Sequence, residues 1–170
     1  MLKTAFLALV FAALALVPAH AGAPLPPPEG EVLLTVTGAI SVTNVDGAAA
    51  FDRAALGRLR AAEVVTGTVW TDGISRFVGV PLQAVLDRVG APRDGRLRLV
   101  ALNDYSVEIP AQDLSATVPM LALERDGAPM SVRDKGPIWV IYPYDSGSEW
   151  RSEQVFSRSI WHLNRIEVMQ

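Results

Sequence analysis

Cysteine is absent from this sequence, and of its two histidines, His20 and His162, the first falls in an N-terminal leader. Without thiols the chain has no disulfide to stabilise it, no thiolate for a metal and no thiol nucleophile. One remaining imidazole excludes a histidine-rich zinc or copper site and leaves a Ser-His-Asp triad a single candidate base. His162 itself reads as an outward polar residue on a late strand. Positive charge is scarce too, with 15 Lys and Arg against 18 Asp and Glu. Nucleic acid and anionic lipid are therefore not expected as partners. The apolar run Ala5 to Val17 is shorter than the about 20 residues of a membrane-spanning helix, so direct membrane insertion is not expected. No internal repeat is visible.

That apolar run follows Lys3 and precedes Ala19-His20-Ala21, small residues around a cleavage point. Residues 1–21 thus carry the pattern of a secretory signal peptide. Without Lys3 the formal charge of −3 becomes about −4. No cysteine follows the cleavage point to carry a lipid. Residues 22–30 form a proline-rich leader of extended geometry that spaces the domain from its processing site. Residues 31–170 suffice for one domain whose core needs no cross-links.

Alternation of Val32, Leu34 and Val36 with Thr35 and Thr37 predicts a strand ending near Gly38. Asn44 to Gly47 reads as a turn, and Phe51 to Leu59 as a short amphipathic helix with Asp52 near its start. Val64 to Val69 predicts a strand that gives way at Trp70 to a loop, with Asp72-Gly73 as a polar turn. A helix follows from about Pro81 to Val89, stopped by Gly90. Further strands are expected over Arg96 to Leu102, Val107 to Pro110, Pro119 to Arg125, Ile138 to Pro143 and Ser159 to Val168. The run Ile138 to Ile141 is apolar throughout, which predicts burial on both faces. Tyr144 to Trp150 reads as a polar, aromatic loop, and Trp150, Arg151 and Phe156 as parts of a long loop suited to docking. Many short strands with few short helices indicate an α+β domain dominated by mixed β-sheet.

Three strand-end loops share a composition: Trp70-Thr71-Asp72, Asn103-Asp104-Tyr105 and Tyr142-Pro143-Tyr144-Asp145. Brought together by the sheet, they would form a pocket with flat walls and acceptors at its edge. Its natural ligand is a planar heterocycle, stacked on aromatic faces and held by a carboxylate at an amino-pyrimidine edge. Pterin and guanine both present such an edge. The stacking candidates are Trp70 with Tyr105 or Tyr144, the acceptors Asp72, Asp104 or Asp145, and the orienting donors Arg76 and Asn103. Plainer uses exist: Trp70, Trp139 and Trp161 as core, and Asp104 and Asp145 as turn-closing residues.

The order of segments resembles a known family. Gly79-Val80-Pro81-Leu82-Gln83-Ala84-Val85-Leu86, Asn103 to Pro110, Gly136 to Pro143 and Trp161 to Val168 resemble, in sequence order, motifs of the sulfite oxidase-like molybdopterin-binding domain. The resemblance spans about residues 31 to 168 and implies the mixed-sheet fold of that family. Its enzymes hold molybdenum through a cysteine after the strand that here ends at Val69, and the corresponding place falls near Thr71. A neutral hydroxyl is a poor ligand for a soft, high-valent metal, so molybdenum is disfavoured and a pterin pocket without its metal remains. That resembles small exported proteins which bind reduced pterins and dock on the periplasmic domain of a membrane enzyme controlling cyclic-di-GMP. The resemblance implies a periplasmic, non-catalytic sensor of a tetrahydropterin or neopterin type of ligand. Its alternatives are a molybdopterin oxidoreductase in which Thr71 or Asp72 replaces the thiolate, and a ligand-free protein-interaction domain.

Overall fold

The computed structural model describes residues 24–170; the expected signal peptide lies outside the described residues. In chain order the elements are β1 (Val32–Gly38), β2 (Ala49–Asp52), α1 (Arg53–Gly57), β3 (Ala62–Thr68), β4 (Thr71–Pro81), α2 (Leu82–Val89), β5 (Arg96–Ala101), β6 (Ser106–Pro110), β7 (Met120–Arg125), β8 (Ala128–Pro129), β9 (Trp139–Ile141), α3 (Glu153–Arg158) and β10 (Leu163–Met169). They build two sheets, the first mixed and the second antiparallel throughout. One runs β2-β1-β10-β5-β6, with β1 and β10 parallel, and the other runs β3-β4-β7-β8, with β9 on β7. This is the α+β architecture expected from the sequence. Among the described residues no helix is long and apolar enough to cross a membrane.

Local chemistry sets most of these bounds. Asp52 caps α1 by accepting the Ala55 N–H at 2.7 Å, as carboxylates do at helix starts. Helix α2 buries Leu82, Val85, Leu86 and Val89, each contributing about 1.5–3 kcal/mol when fully buried. It ends where Gly90 adopts φ +63°, a left-handed cap that glycine adopts without penalty. Trp139, Val140 and Ile141 are fully buried, so the strand read as buried on both faces is so.

Four readings need correction. Thr71–Pro81 is one long strand antiparallel to β3 from Ala62↔Gly79 to Gly67↔Ile74, so Asp72-Gly73 lies inside a hairpin. Its cue is a period of two, with Ser75 and Phe77 buried and Ile74 and Arg76 exposed, which the Asp-Gly pair masked. Phe51 belongs to β2, since the chain turns helical only after the Asp52 cap. The segment around Trp150 is no long loop: Ser148–Arg151 is a 3-10 turn and Glu153–Arg158 is α3, capped by the Ser152 hydroxyl. Finally, the end of the proline-rich leader packs on the body. Leu25 is buried, Asn44 Nδ2 donates to the Pro26 carbonyl at 2.8 Å, and Asp52 also accepts the N–H groups of Glu29 and Gly30.

Candidate functional site

Trp70 stands at the tip of the β3–β4 hairpin. The turn is tied by Thr68 Oγ1, which lies 2.7 Å from Thr71 Oγ1 and accepts the Trp70 N–H at 3.1 Å. A register shift between Gly67 and Thr68 tightens the bend, as bulges do. The indole, thus fixed, meets four rings edge to face: Phe156 at 5.7 Å, Trp161 at 5.8 Å, Trp139 at 5.9 Å and Tyr144 at 6.1 Å between centroids. Such contacts are worth about 0.5–1.5 kcal/mol each beyond burial. Lys135 lies behind this cluster, its Nζ 4.9 Å from the Trp161 ring centre and 5.7 Å from that of Trp139.

Beside the cluster lies a cavity of about 380 Å³ walled by Trp70, Tyr105, Phe156 and Trp161, with Ala101, Asn103, Ser157, Ser159 and Ile160 completing it. Tyr105 is half exposed at its mouth. Asn103 is placed by the sharp turn after β5, where its Oδ1 accepts the Tyr105 N–H at 3.3 Å and Asp104 adopts φ +62°. The hydroxyls of Ser157 and Ser159 donate to backbone carbonyls of α3, which leaves the Asn103 amide and the Tyr105 hydroxyl as the principal polar groups. No carboxylate, imidazole or ammonium lines the cavity. Its volume falls within the range of small-ligand sites, and its walls suit a flat, uncharged ring.

The structure therefore unites Trp70, Asn103 and Tyr105 from two of the three loops and sends the other candidates elsewhere. Thr71 is committed to Thr68 in the turn, and Asp72 is exposed on β4. Arg76 lies six residues along the strand from Trp70, about 20 Å at the usual rise, and donates to Glu63 at 2.6 Å. That hydrogen bond raises its pKa further. Asp104 faces Arg165 at 3.4 Å, away from the cavity.

The third loop serves as a support. Tyr144 is buried and its hydroxyl donates to Ser159 Oγ at 2.7 Å; burial pushes its pKa up to about 12. The Asp145 carboxylate accepts the Gly67 N–H and pairs with Arg151. The backbone hydrogen bond first, and then Arg151, hold its pKa below the usual carboxylate value. Tyr144 and Asp145 line a neighbouring recess of about 270 Å³ that shares Phe156 with the main cavity. Trp150 stacks on Tyr142 at 5.9 Å, and Arg151 also donates to the Tyr144 carbonyl at 2.9 Å, so both brace this loop.

Reasoning from sequence assigned Phe156 to a docking loop and Trp161 to the core, and missed Ala101, Ser157, Ser159 and Ile160 as lining residues. The signal was there in Ser152-Glu153-Gln154-Val155, a serine cap followed by an acid in the first turn. His162 also departs from expectation: it precedes β10 at φ +58°, with Nε2 2.8 Å from the Val132 carbonyl oxygen. Among the described residues, no group of three or more His, Asp or Glu is placed to hold a metal ion.

No curated protein matches the chain. Residues 48–170, most of the sequence and nearly all of the two sheets, match the family described as oxidoreductase molybdopterin binding domain, and the chain belongs to that family.

Proposed function

We propose that the protein is a non-catalytic pterin-binding regulator that works in the periplasm. It docks on the periplasmic domain of a membrane signalling enzyme, of the kind that controls cyclic-di-GMP. The observation that carries the reading is the cavity beside Trp70, aromatic on its walls and uncharged in its lining. A pterin ring stacks on such walls, and the Asn103 amide supplies donor and acceptor to its edge.

The metal-bearing part of the family's cofactor does not fit these residues. A soft, high-valent metal calls for a thiolate, and the turn after β3 offers Thr71, whose hydroxyl is engaged by Thr68. A cofactor phosphate calls for Arg or Lys, and neither lines the cavity. Nor does the lining contain a paired acid and base for proton transfer. What remains is binding, and a bound ring at the Trp70 hairpin changes the surface presented to a partner.

The test is a titration of the purified protein with reduced neopterin, followed by tryptophan fluorescence. Saturable quenching at one ligand per chain is expected. Quenching that never saturates, or no change at millimolar ligand, overturns the reading.

A further inference from the structure

We propose that a second, larger groove docks an arginine-bearing, otherwise apolar segment of a partner protein. It lies across the strand pair from the Trp70 cavity. Ala101, Asn103 and Trp161 line the cavity, whereas Leu102 and Asn164, from the same two stretches of chain, line the groove. The groove encloses about 850 Å³ between the approach to β1, Leu102 and the Met130–Val132 segment. This surface deepens the docking part of the function proposed above and does not depend on which ring the cavity holds.

Two properties converge there. Val32, Leu102 and Val132 are 43%, 51% and 56% exposed, and all three line this one concavity, with buried Met130 beside them. Apolar side chains scattered singly are ordinary, but several on one concave wall mark an interaction surface. The charge is negative: Glu29, Glu31 and Asp52 stand against Arg53. Asp52 is engaged by backbone N–H groups, and among the described residues Glu29 and Glu31 form no ion pair.

An arginine answers both. Its stem lies along apolar walls, and its guanidinium presents paired donors and a charge that complement the carboxylates of Glu29 and Glu31. The remaining volume takes apolar neighbours of that arginine, the composition found at the buried centres of protein interfaces. The occupant is therefore a protein segment.

The experiment follows amide signals of the uniformly ¹⁵N-labelled protein during titration with a capped pentapeptide of Val and Leu around one Arg. The control peptide carries Glu at the centre. Saturable shifts are expected at Val32, Leu102 and Val132, with the Glu peptide at least tenfold weaker. The double change Glu29→Lys with Glu31→Lys should weaken binding at least tenfold while melting temperature and neopterin quenching stay the same. Equal affinity for both peptides, shifts confined to other residues, or none at millimolar peptide overturns the proposal. So do groove shifts that grow with protein concentration alone, since a second copy then occupies the site. Loss of neopterin quenching with peptide binding intact counts against the ligand reading only.

Discussion

Trp70 and Trp161 meet edge to face with ring centroids 5.8 Å apart, and both also wall the same cavity. One residue comes from the β3–β4 hairpin and the other from the approach to β10, so the cavity exists because the two sheets bring these ends together. The Trp70→Ala change removes four ring contacts as well as a wall. It should lower stability by about 3 kcal/mol and weaken neopterin binding roughly tenfold. Trp70→Phe should restore much of both. Chemical denaturation with a binding titration checks this, and full affinity in Trp70→Ala would place the ligand elsewhere.

Asp145 should contribute to acid stability. Its native pKa lies below the usual 3.8 because the Gly67 N–H, and then Arg151, favour the carboxylate. A depressed pKa gives stability that is present above the unfolded value and lost as pH falls through the native one. Asp145→Asn should therefore lower the melting temperature at pH 7 and flatten the loss of stability below about pH 4. Urea midpoints measured against pH for both proteins provide the test; parallel curves would contradict it.

At the alkaline end Tyr144 has the opposite sign. Burial raises its pKa from 10 to about 12, so its contribution is full below pH 10 and is lost as pH rises through about 12. Tyr144→Phe should cost about 1 kcal/mol at neutral pH, the net worth of the hydrogen bond to Ser159. The variant should also lose less stability between pH 10 and 12 than the parent. Thermal melts across that range decide the matter.

Gly79 sets the sheet behind the site. A Cβ there would lie 1.9 Å from the Leu121 carbonyl oxygen on the adjacent β7, and two backbones cannot separate locally without breaking the pairing. Gly79→Ala is expected to yield little folded protein, whereas Gly57→Ala, at an exposed position with open space around it and no left-handed backbone, should fold. Soluble yield and circular dichroism of the two variants distinguish them.

Much of this was legible in the chain. Helix α2 announced itself by Leu82, Val85, Leu86 and Val89 before Gly90, and β9 by an unbroken apolar run, because burial pattern and stop signals agree there. The site was harder. Composition nominated Trp70, Asn103 and Tyr105 among its candidates, and the ends of two different sheets bring them together. It also nominated Arg76 and Asp145, whose partners Glu63, Gly67 and Arg151 lie far away in sequence or across a turn. Such pairings depend on register and on α3, neither of which any short stretch specifies.

The most direct test of the central claim is mass spectrometry, with metal analysis, of the protein isolated from its own host. The account predicts about one pterin released per chain and no stoichiometric molybdenum. Molybdenum at one atom per chain, or a chain that carries no pterin and binds none when offered, would contradict it.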